Sequence, residues 1–195
     1  MRKSAFLLVA LTALLVATAA EAKNRDGAWE LGLKASYIDN DDVTSTTIEE
    51  LENSGSLGFR VGYHFSAALE AELIGTFQNT ETTGSGRDVD VARVALVITG
   101  NFLTDRETNT IPYITAGMGV IQEKRAAFTP ATGPSVLEAF DSSAILTIGV
   151  GARTFFTDNF GVRYDIRYAH HDSFEELQDE FITSVGVTWV LGGQN

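Results

Sequence analysis

One short segment near the end of the chain carries side chains that could do nucleophilic chemistry. The sequence HHDS, residues 170–173, places a histidine two positions before a serine, and Glu180 follows shortly afterwards. A serine hydroxyl attacks an ester when a nearby imidazole takes its proton and a carboxylate orients that imidazole. A catalytic cluster is therefore one hypothesis for this segment. The alternative is that these are solvated residues of a surface loop.

Two acidic segments contain the oxygen ligands that calcium and magnesium prefer. They lie within residues 39–52 and 172–180. The first, which includes DNDDV, lacks the glycine and the spacing of an EF-hand loop, so a solvated acidic surface explains it better. The sequence GSGR, residues 84–87, lacks the lysine and the following helix of a phosphate-binding loop. We therefore predict no metal site and no cofactor.

Composition narrows the class of protein. The chain has 195 residues, a formal net charge of −12, three prolines, 18 glycines and no cysteine. The acidic balance argues against nucleic acid as a partner. The lack of cysteine excludes disulfides and thiolate metal sites. No composition shift marks a linker, so we expect one folded unit.

The start of the chain has the pattern of an export signal. Two basic residues precede an apolar stretch over residues 5–16, and Ala20-Glu21-Ala22 supplies small residues at a cleavage site. The pattern predicts a signal peptide over residues 1–22 and a folded unit over residues 23–195. No later apolar run is long enough for a transmembrane helix.

The remaining sequence alternates apolar and polar residues about eight times, as strands with two different faces do. In VRYDIRYAHH, residues 162–171, Arg163, Asp165 and Arg167 alternate with apolar or aromatic residues. The eight predicted strands cover residues 29–38, 57–65, 69–78, 91–102, 112–121, 144–156, 162–171 and 181–191. Their connections alternate between long and short, which is typical of an outer-membrane barrel.

Aromatic residues fall at both ends of the apolar face. A lower ring at the short-turn end comprises Trp29, Tyr63, Phe65, Phe102, Phe156, Phe160 and Trp189, and an upper ring at the long-loop end comprises Tyr37, Phe77, Tyr168 and Phe181. Such rings favour the two membrane interfaces, whereas a soluble barrel scatters its aromatics through a core. We predict an all-β, eight-stranded antiparallel transmembrane β-barrel. A soluble periplasmic ligand-binding barrel is the alternative.

The charged face of this barrel then points inward. Eight strands leave an interior just wide enough for side chains, so we expect a packed polar core. A narrow channel is the less favoured interpretation. Buried charges need partners, and mixed signs on neighbouring strands allow pairing. The predicted network comprises Glu30, Lys34, Arg60, Glu70, Glu72, Arg93, Arg153, Arg163, Asp165 and Arg167.

Three stretches resemble a known family. They are LGFRVGYHF at residues 57–65, IPYITAGMGV at residues 111–120, and IGVGARTFFTDNFGVRYDIRY at residues 148–168. The chain resembles the small eight-stranded outer-membrane barrels, the OmpA-like porin family. The resemblance implies the outer membrane of a Gram-negative cell, contact with its lipids and lipopolysaccharide, and insertion by the barrel-assembly machinery. It does not imply one activity.

The HHDS segment also resembles the lipid A 3-O-deacylase barrels. That resemblance would make His171 the base, Ser173 the nucleophile and Glu180 the orienting acid. Strand alternation, however, points His171 inward, whereas the deacylase pair faces lipid. We therefore predict a non-enzymatic outer-membrane protein with a structural role or an unidentified partner at its extracellular loops. A lipid A deacylase-like hydrolase is the alternative.

Overall fold

The chain folds into one closed antiparallel barrel. The computed structural model describes residues 25–40, 51–83, 85–102, 109–127, 137–173 and 176–193, without the side chains of residues 172, 173, 176 and 177. The strands are β1 (Trp29–Asn40), β2 (Ser54–Ser66), β3 (Leu69–Glu81), β4 (Asp88–Asn101), β5 (Thr110–Arg125), β6 (Ala139–Phe155), β7 (Phe160–Ser173) and β8 (Glu176–Leu191). Each strand pairs with the next, and β8 pairs with β1. The predicted eight-stranded barrel is therefore confirmed.

The two faces of the sheet have opposite polarity in the middle of the barrel. Large apolar side chains point outward, among them Leu57 at 69%, Met118 at 66% and Leu96 at 57% exposure. Charged side chains point inward and are buried, such as Arg153 at 0% exposure. An apolar outer band around a polar interior is the arrangement of a barrel that faces lipid. Within the described ranges, no helix is long and apolar enough to cross a membrane.

Aromatic contacts mark the two ends of the apolar band. In the lower ring, Trp29 lies 5.1 Å from Tyr63 between ring centroids. Phe160 lies 5.2 Å from Trp189 in the same ring. In the upper ring, the centroids of Tyr168 and Phe181 are 5.5 Å apart. These pairs join neighbouring strands at the heights where aromatic rings favour a membrane interface.

The strands are longer at the long-loop end than the sequence suggested. The predicted loop over residues 171–180 is wrong, because β7 continues to Ser173 and β8 begins at Glu176. Strands also extend by several residues into both sides of the predicted loops over residues 79–90 and 122–143. At these ends apolar residues point inward and polar residues point outward, the reverse of the middle of the barrel. The alternation in the sequence therefore did not reveal that the same strands continue.

This reversal follows the height of the upper ring. At and above it, the inward face carries an apolar cluster of Ile38, Leu51, Val89, Val91, Ile121, Ile145, Ala169 and Ile182, beside buried polar residues that include Thr80, Glu123 and Arg125. On the outward face, Asn79, Asp90 and Lys124 lie in register on neighbouring strands. Apolar inside and polar outside is the pattern of a sheet in water. We call this part of the barrel, above the upper ring, the collar.

The short-turn end has its own closing layer. Ala28, Ile111, Phe155 and Val190 form a second buried apolar cluster there. The guanidinium carbon of Arg25 lies 3.5 Å from the centroid of the Phe155 ring. Burial and the nearby Arg153 lower the pKa of Arg25 to about 10, so its guanidinium stays charged at neutral pH. The charged middle of the lumen therefore lies between two apolar layers.

Single cysteines test the assignment of faces. Cysteine at Leu96, Ile148 or Val187 should resist a water-soluble maleimide in membranes, because these side chains point outward within the apolar band. Cysteine at Glu138, whose side chain is 45% exposed next to the collar, should label from outside intact cells. Equal aqueous labelling at both sets of positions would contradict a lipid-facing band.

Candidate functional site

The charged lumen is the largest cluster of titratable side chains in the described structure. All ten residues predicted for the network are buried inside the barrel, none more than 5% exposed: Glu30, Lys34, Arg60, Glu70, Glu72, Arg93, Arg153, Arg163, Asp165 and Arg167. Period-two alternation places them on one face, and closure of the sheet brings distant strands together. Glu180 joins them at 0% exposure.

Arg153 links three strands at the lower end of this network. Its Nη1 atom donates to Glu30 Oε2 on β1, and its Nη2 atom donates to Glu70 Oε2 on β3 at 2.6 Å. The Nε2 atom of His64 lies 3.1 Å from Glu30 Oε2. One guanidinium from β6 thus pairs with two carboxylates that approach it from the other side of the lumen.

Arg163 on β7 makes a second link to β3, and it also contacts a tyrosine on β5. Its Nη2 atom donates to Glu72 Oε1 at 2.7 Å, and its Nε atom donates to the hydroxyl of Tyr113 at 2.6 Å. Thr188 donates to Glu30 Oε1 at 2.7 Å. Sequence analysis did not assign Tyr113 or Thr188 to the network. Both lie on the inward parity of their strands, which is the signal that could have identified them.

The middle of the lumen is organised around Asp165. Arg60 Nη2 lies 3.2 Å from Asp165 Oδ2, and Arg167 Nε lies 2.8 Å from Asp165 Oδ1. Asp165 therefore pairs with two arginines. At the lower end of the network, in contrast, carboxylates outnumber guanidinium groups.

The candidate catalytic set is only partly assembled. His171 Nε2 lies 3.4 Å from Glu180 Oε1, and Arg93 forms an ion pair with the same carboxylate. Both His171 and Glu180 are buried inside the barrel, so the alternative of solvated loop residues is wrong for them. The side chain of Ser173 lies outside the described residues. The histidine–acid pair thus belongs to the lumen.

The neighbouring histidine faces the other way. His170 Nδ1 lies 2.7 Å from Asp179 Oδ1, and the Tyr168 hydroxyl donates to the same oxygen at 2.7 Å. The side chains of His170 and Asp179 are 39% and 43% exposed. On β6 the residue in register with His170 is Leu146. This outward pair therefore has an apolar neighbour on β6.

Glu30, His64 and Glu70 have the composition of a metal site. Their potential ligand atoms all lie within 4.8 Å of one another. Arg153, however, forms ion pairs with both carboxylates, so a guanidinium already supplies the positive charge. A divalent cation there would meet this buried guanidinium at close range and be repelled by it. The donor set therefore suits an ion-pair network better than a metal centre.

Replacing Arg163 with alanine tests the importance of lumen pairing. The change leaves Glu72 without the guanidinium that contacts it at 2.7 Å, and leaves the Tyr113 hydroxyl without its donor. Removing one partner of a buried ion pair costs about 3–5 kcal/mol. We expect a lower urea midpoint for the variant in detergent, measured by the shift in electrophoretic mobility of the folded barrel.

Lys124→Ala is the matched control. Lys124 lies 3.4 Å from Glu138, and both side chains are nearly half exposed, so this pair contributes little. Arg125 is not such a control: it falls in the predicted loop over residues 122–143 but is buried at the end of β5, 3.5 Å from Glu123. Equal urea midpoints for wild type and Arg163→Ala would refute a stabilising role for that link.

Solved structures of bacterial surface barrels are similar to this fold. Neisserial surface protein A shares 15% identity, with 84% of this chain and 99% of that chain covered and a TM-score of 0.63. OprG from Pseudomonas aeruginosa shares 12% identity over 87% of this chain and 98% of that chain, with a TM-score of 0.62. Ail of Yersinia pestis, in complex with the heparin analogue sucrose octasulfate, shares 17% identity over 85% and 99%, with a TM-score of 0.51.

Sequence identities this low support a shared fold but do not support a shared activity. No curated protein is significantly similar to the chain in sequence. The sequence pattern of one family, described as the outer membrane protein beta-barrel domain, matches residues 6–189. Its match spans nearly the whole barrel that the structure shows. The chain belongs to the family of outer membrane protein β-barrel domains.

Proposed function

We propose that this protein is a non-enzymatic outer-membrane barrel that acts structurally or through partners bound at its outer end. The observation that carries the proposal is the filled lumen, in which paired charges lie between two apolar layers. Such an interior stabilises the barrel and gives a solute no evident path. The surface available to partners is then the collar, with the loops that extend it.

Charge at the collar bears on the kind of partner. Ail was solved with a sulfated sugar, which is a polyanion. Among the described residues, in contrast, the exposed acids at the outer end of this barrel outnumber the exposed base Lys124 and comprise Asp39, Glu52, Glu81, Asp88, Asp90 and Glu138. Like charges repel, so this surface disfavours a polyanion. We propose a partner whose contacting surface is neutral or cationic.

The rest of the proposal follows from the membrane setting. The apolar band contacts outer-membrane lipids, and the upper ring lies at the level of lipopolysaccharide. We propose export by cleavage of residues 1–22 and insertion by the barrel-assembly machinery. This places the short turns and chain ends in the periplasm and the collar outside a Gram-negative cell.

A lipid A deacylase-like hydrolase remains the second candidate, because His171 and Glu180 do meet. An enzyme that cleaves an acyl chain of lipid A needs its base on the outer surface, beside the substrate ester. His171 is 2% exposed and faces the lumen. This geometry favours the non-enzymatic proposal over the hydrolase.

Mass spectrometry of lipid A tests the enzymatic alternative. We expect cells that express the protein and cells that express Ser173→Ala to carry the same lipid A acyl chains, because the histidine–acid pair cannot reach the lipid. An empty-vector strain gives the baseline. Loss of one hydroxyacyl chain with wild type but not with Ser173→Ala would make this protein an enzyme.

Planar-bilayer recordings test the channel alternative. The purified protein should show no steady single-channel steps, because Arg153 and Arg163 span the lumen and apolar layers close both ends. An outer-membrane porin reconstituted in the same bilayers provides the positive control. Reproducible steps that scale with salt would show that the lumen conducts and would overturn the closed interior.

A further inference from the structure

A groove crosses the outer wall of the barrel from the apolar band to the collar. It runs over strands β1 to β6 and has a volume of about 1240 Å³. Ligand pockets in proteins typically measure about 300–1,000 Å³. The groove therefore has room for a molecule that carries both an apolar chain and a polar headgroup.

One row of the sheet forms the floor of this groove. The outward residues in register across β1 to β6 are Ala35, Leu57, Phe77, Ala92, Gln122 and Ser142. Leu57 and Phe77 are 69% and 60% exposed, and the small side chains of Ala35 and Ala92 leave space beside them. The first four residues of the row are thus apolar and the last two are polar.

The row also climbs along the wall, as register rows do in a barrel of tilted strands. On β1 it passes two residues below Tyr37 of the upper ring. On β4 and β5 it passes two residues from Asp90 and Lys124 of the collar. The apolar end of the groove therefore opens on the lipid-facing band, and the polar end opens above the upper ring.

The polar end contains an exposed aromatic side chain. Phe140 lies in register with Lys124 on the outward face of the collar and is 71% exposed. The ammonium of Lys124 lies 5.4 Å from the centroid of its ring. Beside them, Asn79 Nδ2 donates to Asp90 Oδ1 at 2.9 Å. An aromatic ring thus stands among amide, carboxylate and ammonium groups.

This combination has the chemistry that recognises a sugar. A sugar ring presents C–H groups on its face, which pack on an aromatic ring, and hydroxyls at its edge, which exchange hydrogen bonds with amides, carboxylates and hydroxyls. Phe140 supplies the aromatic face, and Asp90, Gln122 and Ser142 line the same groove.

The charges at the polar end favour an uncharged headgroup. Asp90, Asp141 and Lys124 line the groove, and Glu138 lies 3.4 Å from Lys124. Three acids around one exposed base repel a phosphate. Sugar hydroxyls carry no charge and accept or donate hydrogen bonds at either kind of group.

We propose that this groove binds one sugar-headed lipid of the outer leaflet, with an acyl chain along Leu57, Phe77 and Ala92 and the sugar ring against Phe140. The apolar end continues the lipid-facing band, so the chain enters sideways from the membrane without crossing water. The headgroup then covers the Phe140 ring. The proposal rests on the membrane setting proposed above, which cysteine labelling at Leu96 tests separately.

Two uncharged probes with the same chain test this site. The purified protein in phosphatidylcholine nanodiscs is titrated with dodecyl maltoside, whose head is a disaccharide, or with octaethylene glycol monododecyl ether, whose head has no ring. Amide chemical shifts report binding at each residue. We expect saturable shifts at Ala92, Gln122 and Phe140 with the maltoside, and about tenfold weaker binding of the ether, because it has no ring face to pack on Phe140.

Either of two results overturns the proposal. Equal affinities for the two probes would show a groove that accepts acyl chains without reading the headgroup. A titration without saturable shifts for either probe would show that the groove holds no lipid and is free for a partner protein.

Phe140→Ala separates the headgroup from the chain. The variant should bind the maltoside about tenfold more weakly and the ether as wild type does, because only the sugar packs on this side chain. Phe102→Ala is the matched control, since it removes an aromatic side chain that is 65% exposed in the lower ring. It should change neither affinity. Undiminished maltoside binding by Phe140→Ala overturns the assigned position of the sugar.

Ala92→Trp blocks the apolar end of the groove. The indole would fill the floor between Phe77 and Gln122, which flank Ala92 in register, so neither probe should give saturable shifts. Ala116→Trp makes the same substitution at an exposed outward position of β5 outside the groove and should bind both probes as wild type does. Binding that persists in Ala92→Trp overturns the proposed site. If that variant fails to fold, the comparison of Phe140→Ala with Phe102→Ala decides the question.

Discussion

Ion pairs that cross the lumen are the interaction on which this structure depends. Arg153 on β6 holds Glu30 on β1 and Glu70 on β3, and Arg163 on β7 holds Glu72 on β3. Contact with lipid stabilises the apolar outer face but does not draw opposite walls of the barrel together, so the interior must supply cohesion between walls that are distant in sequence. Charges provide it only as complete pairs, because one unmatched group in so dry a space is costly. The pairs therefore fix which strands face each other as well as how stably they do so.

This requirement separates structure from function along the barrel axis. The central lumen is committed to pairing, and the apolar layers at either end shield the pairs from water, which would weaken them. Above the upper ring the sheet inverts, with Val91 and Ile121 inside and Asp90 and Lys124 outside. The same eight strands thus have the polarity of a membrane barrel below the upper ring and the polarity of a soluble β-barrel above it. A partner of the kind proposed above would meet only the second of these.

Period-two alternation predicted the central strands and the face that each lumen charge occupies. It failed at the long-loop end, where a strand such as β8 begins at Glu176 and not at residue 181, because inside and outside exchange polarity there. The sequence also could not predict which charged residues pair with each other. Arg93 pairs with Glu180 across 87 residues, and that contact depends on how the sheet closes and staggers. Strand alternation places Tyr113 on the inward face, but it does not show that its hydroxyl will accept from Arg163.

The two adjacent histidines show how strictly the strand geometry limits chemistry. His171 meets Glu180 inside the barrel, and His170 meets Asp179 outside it. Each pair supplies a base beside a carboxylate, but the inner pair lies away from lipid, and the outer pair has the apolar Leu146 in register on β6. A shift of one residue in β7 would exchange the two pairs, and it would also turn Arg163 and Arg167 out into the membrane. The lumen ion pairs oppose that shift, so the demand for paired charges also keeps His171 away from lipid.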